Sequence, residues 1–241
     1  MIIAERKPFA EIKEMLAPYK KIMIMGCGSC VTVCLAGGQA EVDVLTSELK
    51  IADRQAGKTR EFITGTLTRQ CDPEFIVPLA EQVKKEKPDA VISLACGVGV
   101  NYLAERLGAI PVFPGVDTKF YGAALEHGVW AELCAGCGKC ILHLTGGICP
   151  IARCTKSLMN GPCGGTNKGK CEISQDVDCG WYLIVKRMTE LGTLDQLSEI
   201  YAARDWSTSF HGGVRRQIHP SSRVAQERDR AEAVKKAGAK K

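Results

Sequence analysis

The chain has 241 residues, enough for one large or two small domains with a buried core. Hydrophobic residues make up 45% of it and aromatics only 6%; the net charge is +5, but residues 214–241, with nine Lys/Arg and three Asp/Glu, carry more than all of it and leave the rest of the chain near neutral. A basic tail without interleaved aromatics reads as a solvated helix, so nucleic acid is excluded as a partner, and no apolar run is long enough to insert in a membrane.

The opening stretch "MIIAERKPFAEIKEML" lacks a signal peptide's apolar core, so a cytoplasmic location is expected. Thiols stay reduced there, which argues against a disulfide framework for 13 cysteines, an odd number. Metal ligation is the expected use.

In chain order, a short helix is predicted over residues 8–17 and an apolar strand over 21–25, running into the Gly-rich turn "GCGSC". Gly37-Gly38 breaks a short helix. A longer one follows over 39–56, with Val42, Leu45, Leu49 and Ala52 on one face. "EFITGTLT" reads as a strand, Pro73 opens a helix, "DAVISL" is a buried strand over 89–94, a helix lies near 100–107, and "AIPVF" is another strand. This alternation predicts a parallel, doubly wound, Rossmann-like α/β sheet over about residues 20–120. Such sheets bind ligands beyond the carboxyl ends of their strands, and Cys27, Cys71 and Cys96 each follow a predicted strand.

Between Glu126 and Cys179 the periodicity fades and Cys/Gly punctuation replaces it. With little apolar sequence to form a core, this region is expected to be a Cys-rich, metal-organised module. Helices are predicted over 180–191 and 194–203, a loop over 204–221 and a charged, exposed helix over 222–237. The expected division is an α/β domain with a cluster site (1–125), the Cys-rich module with its following helices (126–203), and a loop with a basic, exposed C-terminal helix (204–241).

Cys27, Cys30 and Cys34 are spaced to wrap three corners of a cubane cluster, with Cys96 (or Cys71) as fourth ligand. Cys134, Cys137 and Cys140 repeat the first three positions of a bacterial ferredoxin loop. The Cys-Pro pair that should follow, Cys149-Pro150, lies further on than that pattern requires. With Cys154, Cys163, Cys171 and Cys179, the eight thiols from Cys134 to Cys179 could complete two four-ligand clusters or hold one cluster plus a zinc ion, iron–sulfur and zinc both standing open for Cys149 to Cys179. His127 and His143 are weaker zinc candidates. Two or three [4Fe–4S] clusters are therefore expected, with zinc as the alternative to one of them.

Other sites are poorly supported. "GVGVNY" over 97–102 starts like a dinucleotide fingerprint but has Tyr102 where the third glycine belongs, and "GCGSCV" fails likewise. There is no P-loop and no ordered Ser/His/Asp set, so no catalytic residue is expected. Trp130, Trp181 and Trp206 are read as packing around the Cys-rich module.

The stretch "LCAGCGKCILHLTGGICPIARCTKSLMNGPCGG", continuing through "NKGKCEIS", resembles the methylenetetrahydrofolate reductase C-terminal domain. The pattern "MGCGSCVTVC…RQCDPEF…LACGVGV" is similar to the small iron–sulfur subunit that partners the catalytic reductase in acetogens. The resemblance implies a non-catalytic electron-transfer subunit in one-carbon (reductive acetyl-CoA) metabolism. It would serve a flavin-containing catalytic subunit, with FMN in that partner only and further electron-donor subunits beyond. The alternative is a zinc-stabilised docking subunit that activates the reductase.

Overall fold

The computed structural model describes residues 1–209 and 215–238. The chain divides into two units, Met1–Ala135 with Ile141–Glu199, and Gly136–Cys140 with Ile200–Lys241.

The first unit runs β1 (Ile2–Arg6), α1 (Phe9–Met15), β2 (Lys21–Cys27), α2 (Cys30–Val33), α3 (Gln39–Gln55), β3 (Glu61–Leu67), α4 (Pro73–Glu86), β4 (Ala90–Ser93), α5 (Gly97–Ala104), β5 (Val112–Pro114), β6 (Val116–Glu126), β7 (Val129–Cys134), α6 (Pro150–Arg153) and α7 (Gly180–Leu191). Four strands form a parallel sheet in the order β3-β2-β4-β5, an α/β arrangement like part of a Rossmann fold.

Strand β2 shows why both faces are covered. Its side chains alternate, as a strand requires. Ile22 and Ile24 enter one apolar cluster with Ile12, Leu16, Val42, Leu45 and Leu49 from α1, α3 and their ends. Met23 and Met25 enter the opposite cluster with Ile76, Leu79, Val83 and Leu103 from α4 and α5. Burying each such Leu or Ile fully contributes about 2 kcal/mol. Helix α4 starts where its sequence says it should. Asp72 accepts a hydrogen bond from Glu74 N at 3.2 Å, Pro73 takes the first position, and Lys87 in the left-handed region stops the helix. Helix α5 begins earlier than the predicted position near 100, directly after Cys96.

A second sheet, antiparallel in the order β1-β6-β7, has no counterpart in the sequence-based expectation. Its strands alternate weakly, and β1 pairs with residues more than a hundred positions away, the Met1 amino group reaching Gly122 O at 3.0 Å.

The expected metal-organised module over 126–203 is not what the structure contains. The first part of that span is β7, and the rest is gathered by α7, which buries Trp181, Ile184 and Met188 against Ile148, Leu158 and Leu197. Trp181 Nε1 donates to Leu158 O at 2.8 Å. One amphipathic helix thus supplies the apolar core that Cys/Gly density had seemed to rule out. Of the three tryptophans only Trp181 packs there; Trp130 packs on the main core. The helix expected over 194–203 shrinks to a 3-10 turn, Leu194–Ser198.

In the second unit, residues 204–209 are bonded to the Gly136–Cys140 loop, and α8 (Arg223–Gly238) is the charged C-terminal helix. Among the described residues no helix is long and apolar enough to cross a membrane.

Candidate functional site

Open parallel sheets present a crevice where neighbouring strands connect in opposite directions. Here that point lies between β2 and β4, and Cys27 ends β2 while Cys96 follows β4. The crevice is filled by protein. A Cβ at Gly37 would overlap the carbonyl oxygen of Leu94, so the turn after α2 lies directly on the end of β4. Gln70, fully buried, donates to Met25 O at 3.1 Å and Gly26 O at 2.8 Å. Its own amide oxygen accepts from Ser93 Oγ at 2.6 Å. Gly97 N, at the start of α5, is bound by Thr118 Oγ1 at 2.8 Å. Of the glycines in the two Gly-rich stretches, Gly26 and Gly99 serve close packing: a Cβ at the first would meet Thr66 Oγ1, and one at the second Ala95 Cβ, each at under 3.0 Å.

The N-terminal thiols separate into two kinds. Cys27, Cys71 and Cys96 do share the carboxyl edge of the sheet. The Cys71 thiol is held above its ordinary range, first by partial desolvation and then by its electrostatic coupling to the neighbouring Cys96 and Cys27. Cys34 does another job. It is buried, its sulfur accepts Ala4 N at 3.4 Å and its S–H faces Ala4 O at 3.5 Å, which ties the end of α2 to β1. Burial pushes its thiol up as well. Cys30, half-buried, opens α2.

In the middle of the chain, Cys134 ends β7, exposed, and Cys140 is also exposed. Cys137 is half-buried and accepts Arg204 Nη2 at 2.9 Å. Cys149 caps α6, its sulfur accepting Ala152 N at 3.5 Å. Cys154, Cys163, Cys171 and Cys179 line one small, open cleft together with Lys156, Glu172 and Trp181. Lys156 and Glu172 form an ion pair across its rim. Cys171 pairs with Thr155 Oγ1 at 3.0 Å, and that hydrogen bond, aided by backbone N–H groups and Lys156, draws its thiol below the ordinary range. His127 is exposed in the β6–β7 turn and His143 in a 3-10 turn.

Residues 113–207 match a family model described as "Methylene-tetrahydrofolate reductase C terminal". The match covers less than half of the 241 residues. No curated protein and no solved structure matches the chain. The matched stretch starts in β5, contains the β6–β7 hairpin, and runs past α7 to the residues that hold the Gly136–Cys140 loop.

The metal expectations are overturned. Among the described residues no three His, Cys, Asp or Glu side chains form a group that could hold a metal ion. Among the described residues neither the [4Fe–4S] clusters nor the zinc alternative has a ligand set. The roles resting on them, electron transfer and zinc-stabilised docking, therefore have no structural basis. The reason is visible residue by residue. The spacing of Cys27, Cys30 and Cys34 assumes a loop wrapping a cluster, but α2 lies between them and directs Cys34 into the core. Cys149 is committed to a helix cap, Cys137 to Arg204 and Cys171 to Thr155. Sequence reading also missed Gln70, Ser93 and Arg204. Nothing in the chain around them marks their long-range bonds.

Proposed function

We propose that this chain is a non-catalytic partner of a flavin-containing methylenetetrahydrofolate reductase, the FMN belonging to that catalytic chain. The match of residues 113–207 to the reductase-associated family carries the reading. The architecture is compatible with it. The described residues form an open four-stranded parallel sheet and a small antiparallel one, whereas enzymes built on a closed (β/α)₈ barrel need eight parallel strands. In this reading the chain contributes binding surface and no redox centre.

Co-expression with a catalytic reductase chain is the test. The expected result is a stable complex on size exclusion and a change in methylenetetrahydrofolate reduction when the partner is present. Separate elution at micromolar concentration, with catalytic activity unchanged by addition of this chain, overturns the reading.

A further inference from the structure

We infer that residues 204–209 are a releasable strap over the Gly136–Cys140 loop, with Arg204 as its fastening. Three observations converge on it. The two N–H groups of Arg204 Nη2 are shared among three acceptors of the loop turn, Cys137 O at 3.2 Å, Cys137 Sγ at 2.9 Å and Lys139 O. Thr208 Oγ1 adds a bond to Cys137 O at 3.3 Å. Gly138, at φ +81°, lies so close beneath the strap that a Cβ there would overlap the carbonyl oxygen of Thr208. This glycine is required twice, for its left-handed backbone and for the close approach. The strap is stiffened within itself. Ser209 Oγ and N both donate to Trp206 O, at 2.7 and 3.0 Å, and Asp205 Oδ1 accepts Ser207 N at 2.8 Å.

The fastening is costly, which makes the strap a two-state element. Arg204 Nε and Nη1 are buried without a hydrogen-bond partner among the described residues. Arg204 is half-buried, and a guanidinium with two donors out of water and unfilled gives back part of what its bonds gain. Its guanidinium carbon sits 5.0 Å from the Trp206 ring centre, a contact that offsets part of that cost. Opening restores water to the two idle donors, which lowers the cost of the open form relative to a strap with every donor filled. It would leave the loop, with Cys137 and Cys140, free to adopt another conformation. The strap stands on geometry alone and does not depend on the partner reading.

The Lys139–Cys140 peptide bond reports the state of the strap, because its carbonyl is an Arg204 acceptor. Lysyl endopeptidase is applied to the folded full-length chain, and cleavage after Lys139 is followed by mass spectrometry. Arg204→Ala is expected to speed that cut about tenfold, as loss of a local closed state does when opening limits proteolysis. Thr208→Val, which removes a single strap bond, should speed it by a smaller factor. Cleavage after Lys21, in the central strand, serves as the control for general unfolding. Equal rates after Lys139 in wild type and both variants overturn the proposal, as does acceleration after Lys21 in step with Lys139 in both.

Discussion

Cys171 shows how one local contact separates a thiol from twelve others. Its bond to Thr155 Oγ1 at 3.0 Å favours the thiolate, and Lys156 adds a positive charge nearby. A group whose charged form is hydrogen-bonded keeps that form to lower pH. The alkylation rate of Cys171, read by mass spectrometry across pH, should therefore reach half its maximum below the ordinary thiol value of 9.0. Thr155→Val removes the bond and should move the midpoint upward. Cys34 lies at the other extreme: its thiol is pushed up by burial and spent on Ala4. Spacing treats these two residues as equivalent, because spacing counts positions and neither burial nor partners appear in it.

The polar plug at the end of the parallel sheet belongs to the scale of elements. Gln70 sits between the end of β3 and the start of α4, and its amide joins β2 to β4 through Met25 O, Gly26 O and Ser93 Oγ. Replacing it with leucine of similar bulk would leave two buried carbonyls without that donor and a hydroxyl without its acceptor. The loss should be about 2 kcal/mol, seen as a lower urea midpoint with the slope preserved. The helices and strands around this plug were largely legible in the sequence. The α3 face of Val42, Leu45 and Leu49 is buried as its periodicity requires, and α4 keeps its proline start. The plug itself was not legible, since a single glutamine before a cysteine carries no periodic or motif signal.

For the molecule as a whole, the antiparallel sheet connects distant parts of the chain. Strand β1 pairs with β6, Ile3 opposite Phe120, and also lies against Cys34. Deleting residues 1–6 should strip the edge from β6 and uncover Cys34. The expected outcome is that Cys34, unreactive to iodoacetamide in the intact folded chain, becomes labelled under native conditions. Continued protection would show that β1 is dispensable to that core. The family match over 113–207 begins within the parallel sheet and crosses this antiparallel one. The reductase-partner reading is therefore tested fairly only with the full-length chain.

By itself the sequence determined the parallel α/β framework, because strand alternation and helical periodicity are local properties that each segment carries alone. It also determined the resemblance in the Cys-rich stretch, which depends on order and spacing. Only the tertiary structure decided what Cys34, Cys137, Cys149 and Cys171 do. Thiol chemistry depends on which groups lie within a few ångströms, and those groups came from far along the chain: Ala4 for Cys34, Thr155 for Cys171, Arg204 for Cys137. The same dependence on distant partners hid the β1-β6-β7 sheet and the apolar face of α7. That face gathers by burial the region that spacing had assigned to metal.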